Sequence, residues 1–283
     1  MTQTWHDLGN TASLSGLYLK AASKRKISGD TLPRYGLRCG INVDERNLEA
    51  YRRLCLFVQD GRLPPTYPHV MAFALQMQLL TAKDFPAPLL GMVHLSNRIR
   101  VLRSLGGISR LRFSVSVDNL QPHEKGATLD MRTDAEDGIG LIWSETSRML
   151  CRGMKVEGEV TAVEAPEPLA MTELTRWYAD SDIGRHYAKV CGDYNPIHLS
   201  AASARLFGFP QAIAHGMWSK AMAMAHLRGH LPRSGYEVAV EFHKPVRLPS
   251  EVILDGSEVA TNGQFRLSGH GGLVHMTGSW QPA

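Results

Sequence analysis

The sequence predicts an α+β protein of two similar halves in tandem, each an antiparallel sheet wrapped around one central helix. Three observations carry this reading. Two apolar helical stretches, one opening at Tyr67-Pro68-His69-Val70-Met71-Ala72 and one spanning 212–227, are each followed by segments of alternating apolar and polar residues. The two series run in the same order at nearly equal offsets, 142 positions for Tyr67 against Phe209 and 141 for residues 97–105 against 238–246. Between them lies one acidic, proline-rich segment, Val163-Glu164-Ala165-Pro166-Glu167-Pro168, a linker signal.

The elements follow in order. In the first half the alternating segments after the strand at 97–105 are 111–117, 128–132 and 141–149; in the second, 252–259, 265–269 and 274–280. The helix at 212–227, rich in Met and Ala, is apolar on nearly every face, so it should be enclosed rather than laid on a surface. A curved sheet closing around it meets that need. The division expected is 1–165 and 166–283.

Bulk properties remove several function classes. With 283 residues and 43% hydrophobic content the chain can bury one large or two small cores. A formal charge of +4 without a basic, aromatic-laced run gives no sign of a nucleic-acid reader. Cys39, Cys55, Cys151 and Cys191 form no C-x-x-C pair, so structural zinc and a disulfide framework are not indicated. Cys191, close to the catalytic candidates, reads as a packed thiol because no base is assigned to it. The basic cluster Lys24-Arg25-Lys26 follows the apolar residues, the reverse of a signal peptide, and the apolar run at 69–80 is too short to span a bilayer. A cytoplasmic protein that binds no membrane is the expectation.

The chemistry concentrates in Gly192-Asp193-Tyr194-Asn195-Pro196-Ile197-His198 and, seventeen residues on, Ala214-His215-Gly216-Met217. Asn195-Pro196 is a helix start, with Asn as cap and Pro at the first helical position. That helix is expected over 196–207, stopping at Gly208. His198 then lies in the first turn facing the loop of Asp193, and the positive helix end favours a neutral imidazole and an ionised carboxylate. A plain capped turn with a surface histidine is the alternative. Gly216, near a second helix start, offers a free N–H that a carbonyl oxygen can approach closely; close packing of helix on sheet is its alternative. His215 reads as a packing residue rather than a second base. Nothing near residues 44–57 repeats the string, so one catalytic and one supporting half are expected.

The string from Tyr187 to His198, followed by Ala204, resembles the hydratase-2 signature of the MaoC-like dehydratases, the (R)-specific enoyl-CoA hydratases, and Ala214-His215-Gly216-Met217 resembles that family's second element. The layout, with Pro64-Pro65-Thr66-Tyr67-Pro68 and Gly91-Met92-Val93-His94-Leu95 in the front half, is similar to the two-domain 3-hydroxyacyl-thioester dehydratases. The resemblance implies a double hotdog fold and reversible hydration of trans-2-enoyl thioesters, with CoA or an acyl carrier protein as part of the substrate and no metal or redox cofactor. It implies that Asp193 and His198 activate water, Gly216 N–H polarises the thioester carbonyl, and Asn195 and Tyr187 support the loop. Met217, Trp218, Lys220 and Lys244 are substrate-binding candidates, and Arg185, Lys189, Arg205 and Arg247 further candidates for phosphate contacts. A homodimer is compatible with this reading. Two rivals remain: a hydratase for a branched or dicarboxylic (mesaconyl-type) acyl-CoA, and a non-catalytic acyl-thioester-binding protein of the same fold.

Overall fold

In the computed structural model, which describes residues 3–160, 167 and 169–283, the eleven strands form one continuous sheet. The proposed linker therefore lies, apart from Glu167, outside the described residues, as does the 165/166 division. The first half contributes β1 (Thr4–Leu8), α1 (Leu14–Ser23), β2 (Tyr35–Asn42), α2 (Glu45–Cys55), α3 (Tyr67–Leu80), β3 (Val93–Val101), β4 (Arg110–His123), β5 (Gly126–Glu136) and β6 (Leu141–Arg152). The second contributes β7 (Thr172–Ala179), α4 (Ile183–Cys191), α5 (Pro196–Leu199), α6 (Ala201–Arg205), α7 (Gly216–His226), β8 (Tyr236–Phe242), β9 (Ser250–Gly256), β10 (Gly263–Gly269) and β11 (Val274–Pro282).

The strand order β1-β2-β4-β5-β6-β3-β8-β11-β10-β9-β7 shows the duplication directly. From β2 and from β7 onward each half runs strand, helices, then four strands, and the two sheets join where β3 pairs with β8, from Ser96↔Glu241 to Val101↔Tyr236. All pairings are antiparallel except β1 on β2. The two sheets expected from the sequence are thus edge-joined into one.

Each half encloses its own helix. Residues 217–225 of α7 are all buried, as an all-round apolar helix requires, and α3 buries most of its length against β2, β4 and β5. Boundaries differ from expectation in instructive ways. The second central helix starts at Gly216, not 212, and β8 stops at Phe242. The helix expected over 196–207 is broken: Ser200 is extended (φ −160°, ψ 160°), and its side chain accepts from Ser203 N–H, capping α6 anew. Gly208 does take the left-handed conformation (φ 83°).

Candidate active site

The helix α4 delivers the first candidate group. It ends at Gly192, whose left-handed φ of 81° turns the chain back and whose N–H bonds Ala188 O. A Cβ there would lie 2.8 Å from Leu14 and 3.2 Å from Phe73, so helices α1 and α3 of the first half close over this turn. Asp193 follows. Its Oδ1 accepts the Asn195 N–H (3.1 Å) and contacts the Tyr18 hydroxyl (3.4 Å), and its side chain keeps 32% exposure. Asn195 caps α5 by accepting from Ile197 N–H, which is the supporting role the sequence assigns it.

His198, in the single turn of α5, is 8% exposed, which removes the surface-histidine alternative. Its Nδ1–H donates to Ile213 O at 2.7 Å, while Ile213 N–H donates to Ile197 O, strapping the histidine's turn to the approach of α7. Because a carbonyl only accepts, this bond fixes the tautomer and leaves Nε2 with the lone pair. Burial is the main cause that pushes the imidazole below its ordinary pKa, with the Asp193 charge and the Ile213 carbonyl opposing. The helix end invoked from sequence is not what sets it. For Asp193, burial alone would raise the carboxyl, but His215, His198, the Asn195 N–H and the Tyr18 hydroxyl outweigh it and hold it below the usual range. His198 is thus neutral and Asp193 ionised near neutral pH.

His215 is more than packing. Its ring stacks on His198 (centroids 3.7 Å apart, 25° between planes), and its Nε2–H donates to the Asp193 carbonyl at 2.9 Å. Burial and the neighbouring His198 bring it down to about 3, so it stays neutral. Tyr187 packs between His215 (4.9 Å) and Tyr51 (6.1 Å). One ring nitrogen each of His198 and His215 and one carboxylate oxygen of Asp193 lie within 4.8 Å of one another. That spacing could suit a metal, but His198 Nδ1 and His215 Nε2 are already committed to backbone carbonyls, and the donor set reads as a proton-handling cluster.

Gly216 opens α7, whose first N–H groups have no side-chain cap. Within an otherwise buried helix it is half-exposed and lines the same cavity as Asp193 and His198. A Cβ at 216 would sit 3.0 Å from the Phe242 ring. The helix packs tightly on β8 at this glycine, which also lines the cavity at an uncapped helix start.

That cavity, about 380 Å³, runs from the catalytic cluster along α3. Met217 lines it; Lys244 lines it and is exposed. Two candidates are corrected. Lys220 is fully buried off the cavity, its ammonium bonded to Asn97 O (3.0 Å), Asn97 Oδ1 (2.6 Å) and Val238 O (3.0 Å). It fastens α7 to both seam strands rather than touching substrate. Burial lowers it to about 7, and Glu145 and Glu237 oppose that fall. Trp218 packs in the core and is not on the cavity wall. Arg185, Lys189, Arg205 and Arg247 are exposed but also off this wall.

The sequence did not point to Tyr18, whose hydroxyl accepts the Tyr194 N–H (2.6 Å) and reaches Gly192 O (3.0 Å), nor to Arg152, an exposed cation on the cavity wall. Tyr18 lies 175 positions before Asp193, and no local pattern links them.

Residues 159–276 match the MaoC like domain. Over 236 residues the chain is 31% identical to 3-hydroxyacyl-thioester dehydratase X of Mycobacterium tuberculosis, covering 81% of this chain and 79% of that one. The chain belongs to the MaoC-like dehydratase family. The crystal structure of HtdX from M. tuberculosis superposes with a TM-score of 0.75 at 28% identity, covering 88% of this chain and all of the other. A MaoC-like dehydratase from Phytophthora capsici, 20% identical, has the same fold at a TM-score of 0.71, covering 88% and 95% of the two chains. The fold of this family member is accordingly the double hotdog, with the family domain's match confined to the half that carries Asp193, His198 and Gly216.

Proposed function

We propose that the protein catalyses reversible syn addition of water to trans-2-enoyl thioesters, giving (R)-3-hydroxyacyl thioesters. The carrying observation is one cavity holding an ionised Asp193, a neutral His198 with its lone pair on Nε2, and the open N–H of Gly216. Asp193 and His198, side by side on this cavity, hold one water between them. As the water oxygen bonds to C3, one group takes its proton. The C2–C3 π pair moves through the enolate, whose oxygen is held by Gly216 N–H at the positive end of α7. C2 then takes a proton on the same face from the acid/base pair, restoring the thioester. Dehydration reverses each step. The thioester supplies the acidity at C2, so the reaction asks for no cofactor beyond the carrier. His215, by fixing the Asp193 carbonyl and stacking under His198, keeps the pair aligned.

The acyl chain lies along α3, and Lys244 and Arg152 are placed to meet the carrier's phosphates. The names of the relatives, 3-hydroxyacyl-thioester dehydratase and 3-hydroxyacyl-[acyl-carrier-protein] dehydratase among them, support this substrate class. The test is incubation with crotonyl-CoA and chiral analysis of the product: (R)-3-hydroxybutyryl-CoA is expected. A solely (S) product, or binding with no turnover on any enoyl-CoA or enoyl-carrier protein, would overturn the reading.

A further inference from the structure

The first half, which lacks the catalytic string, carries a polar cluster of its own on the same cavity. Glu145, 2% exposed, accepts from His69 Nδ1–H (2.9 Å), Gln76 (3.2 Å) and Asn97 (2.7 Å). Burial alone would raise its carboxyl, but His69, Asn97 and Lys220 hold it below the usual range, so it is a buried carboxylate. His69, Gln76, His94 and Ser147, all around it, line the cavity. An apolar tunnel needs none of them.

Hydrogen-bond accounting shows what remains free. Both amide protons of Gln76 are used, on Thr133 Oγ1 (3.0 Å) and Glu145 Oε2, while Oε1 has no donor among the described residues. His69 spends Nδ1–H on the carboxylate, and its Nε2 has no partner among the described residues. His94 Nε2 is shut from solvent without a partner, its ring against Phe242 (5.0 Å), the residue that packs on Gly216. A plain alkyl chain in this stretch would leave these atoms unsatisfied, at a cost of order 1–3 kcal/mol for each group fully desolvated. The remaining wall includes Met77, Met131 and Met149, side chains that adapt to chains of different shape.

We propose that this cluster is a subsite for a hydroxyl group on the acyl chain, so that the preferred substrate is a hydroxylated rather than a plain fatty acyl thioester; this rests on the thioester reading of the site. A hydroxyl donates to Gln76 Oε1 or His69 Nε2, the free acceptors on the cavity wall. A carboxylate does not fit: it would face two free acceptors and the Glu145 charge, with the Lys220 ammonium already spent on Asn97 and Val238. The dicarboxylic rival is thereby disfavoured.

The experiment compares saturated acyl-CoA esters, which cannot react, by titration calorimetry: a plain C10 chain against isomers hydroxylated at successive carbons from 5 to 9. At one position the hydroxyl should tighten binding about tenfold, the value of one net hydrogen bond. Gln76→Met should bring that ratio towards one while keeping or improving affinity for the plain chain. The idea fails if the plain ester binds best at every position, or if Gln76→Met weakens the two ligand classes equally. Because binding is read without turnover, failure here stays separate from failure of the hydratase assignment, which crotonyl-CoA reports.

Discussion

Set side by side, the two halves are the same machine with one insertion. Helix α2 carries Tyr51 and ends Cys55-Leu56-Phe57; helix α4 carries Tyr187 and ends Cys191-Gly192-Asp193, at a constant offset of 136. Both helices stop in a left-handed residue, Leu56 (φ 60°) and Gly192 (φ 81°). Where the catalytic half has Asp193, the other has Phe57, stacked on Tyr51. From that turn to the central helix the first half uses residues 56–66 and the second 192–215. The longer connection holds α5, α6 and the strap from His198 to Ile213. Chemistry was thus gained, or kept, in one connection, while the scaffold stayed common. The first half turned its polar groups inward instead, onto Glu145.

The largest effect expected on this comparison is at the seam. Lys220→Met should lower stability by about 3–5 kcal/mol, because Glu145 loses its nearby cation and three carbonyl oxygens lose their donor. Denaturant unfolding measures it, and a loss below 1 kcal/mol would show that the halves hold together without it. Next, Gly216→Pro removes the N–H at the first helical position, which tolerates proline, after a His215 already extended at ψ 137°. It should cost roughly 10²–10³ in kcat. Gly216→Ala, which keeps the N–H and only crowds Phe242, should cost much less.

A smaller effect tests the reach of the first half into the second. Tyr18→Phe should lower kcat about tenfold with little change in KM, since one or two hydrogen bonds to the Asp193 loop are lost. Its second sign separates positioning from mere structure. The Tyr18 hydroxyl helps hold the Asp193 carboxyl low, so the acid limb of the kcat/KM profile should move to higher pH in the variant. The pH dependence of stability is the mildest test. His94, at about 4, and His215, at about 3, are depressed from 6.5, and so is His198. The unfolded chain therefore binds more protons below 6.5, and Tm should fall as pH drops from 6.5 towards 4, with no loss from these groups above 7.

The sequence showed most of the scaffold and the residues that gather at the candidate site, for physical reasons that also explain its misses. Alternation located β4–β6 and β9–β11, and the Asn195-Pro196 start placed α5 because a cap is a local signal. Ser200 was an equally local signal, a second cap four residues on, and reading through it produced one helix where there are two. The sequence offset of 141 suits the seam strands β3 and β8, but it hides the offset of 136 shared by α2 and α4, because the connection to the central helix is longer in the second half. Lys220 was taken for a substrate-binding residue, although a lone lysine in a helix apolar all round must be buried and paired. Tyr18, His69 and His94 reach the cavity through long-range packing, which no short window of sequence contains.

The central claim is that all the chemistry sits in the second half, from Asp193 to Gly216. The most direct measurement is single-turnover hydration of crotonyl-CoA by the Asp193→Asn, His198→Ala double variant at unchanged fold. The account predicts a rate reduced by at least roughly 10²–10⁴. A rate within tenfold of the parent would place a working site elsewhere, the Glu145–His69 cluster of the first half foremost, and contradict it.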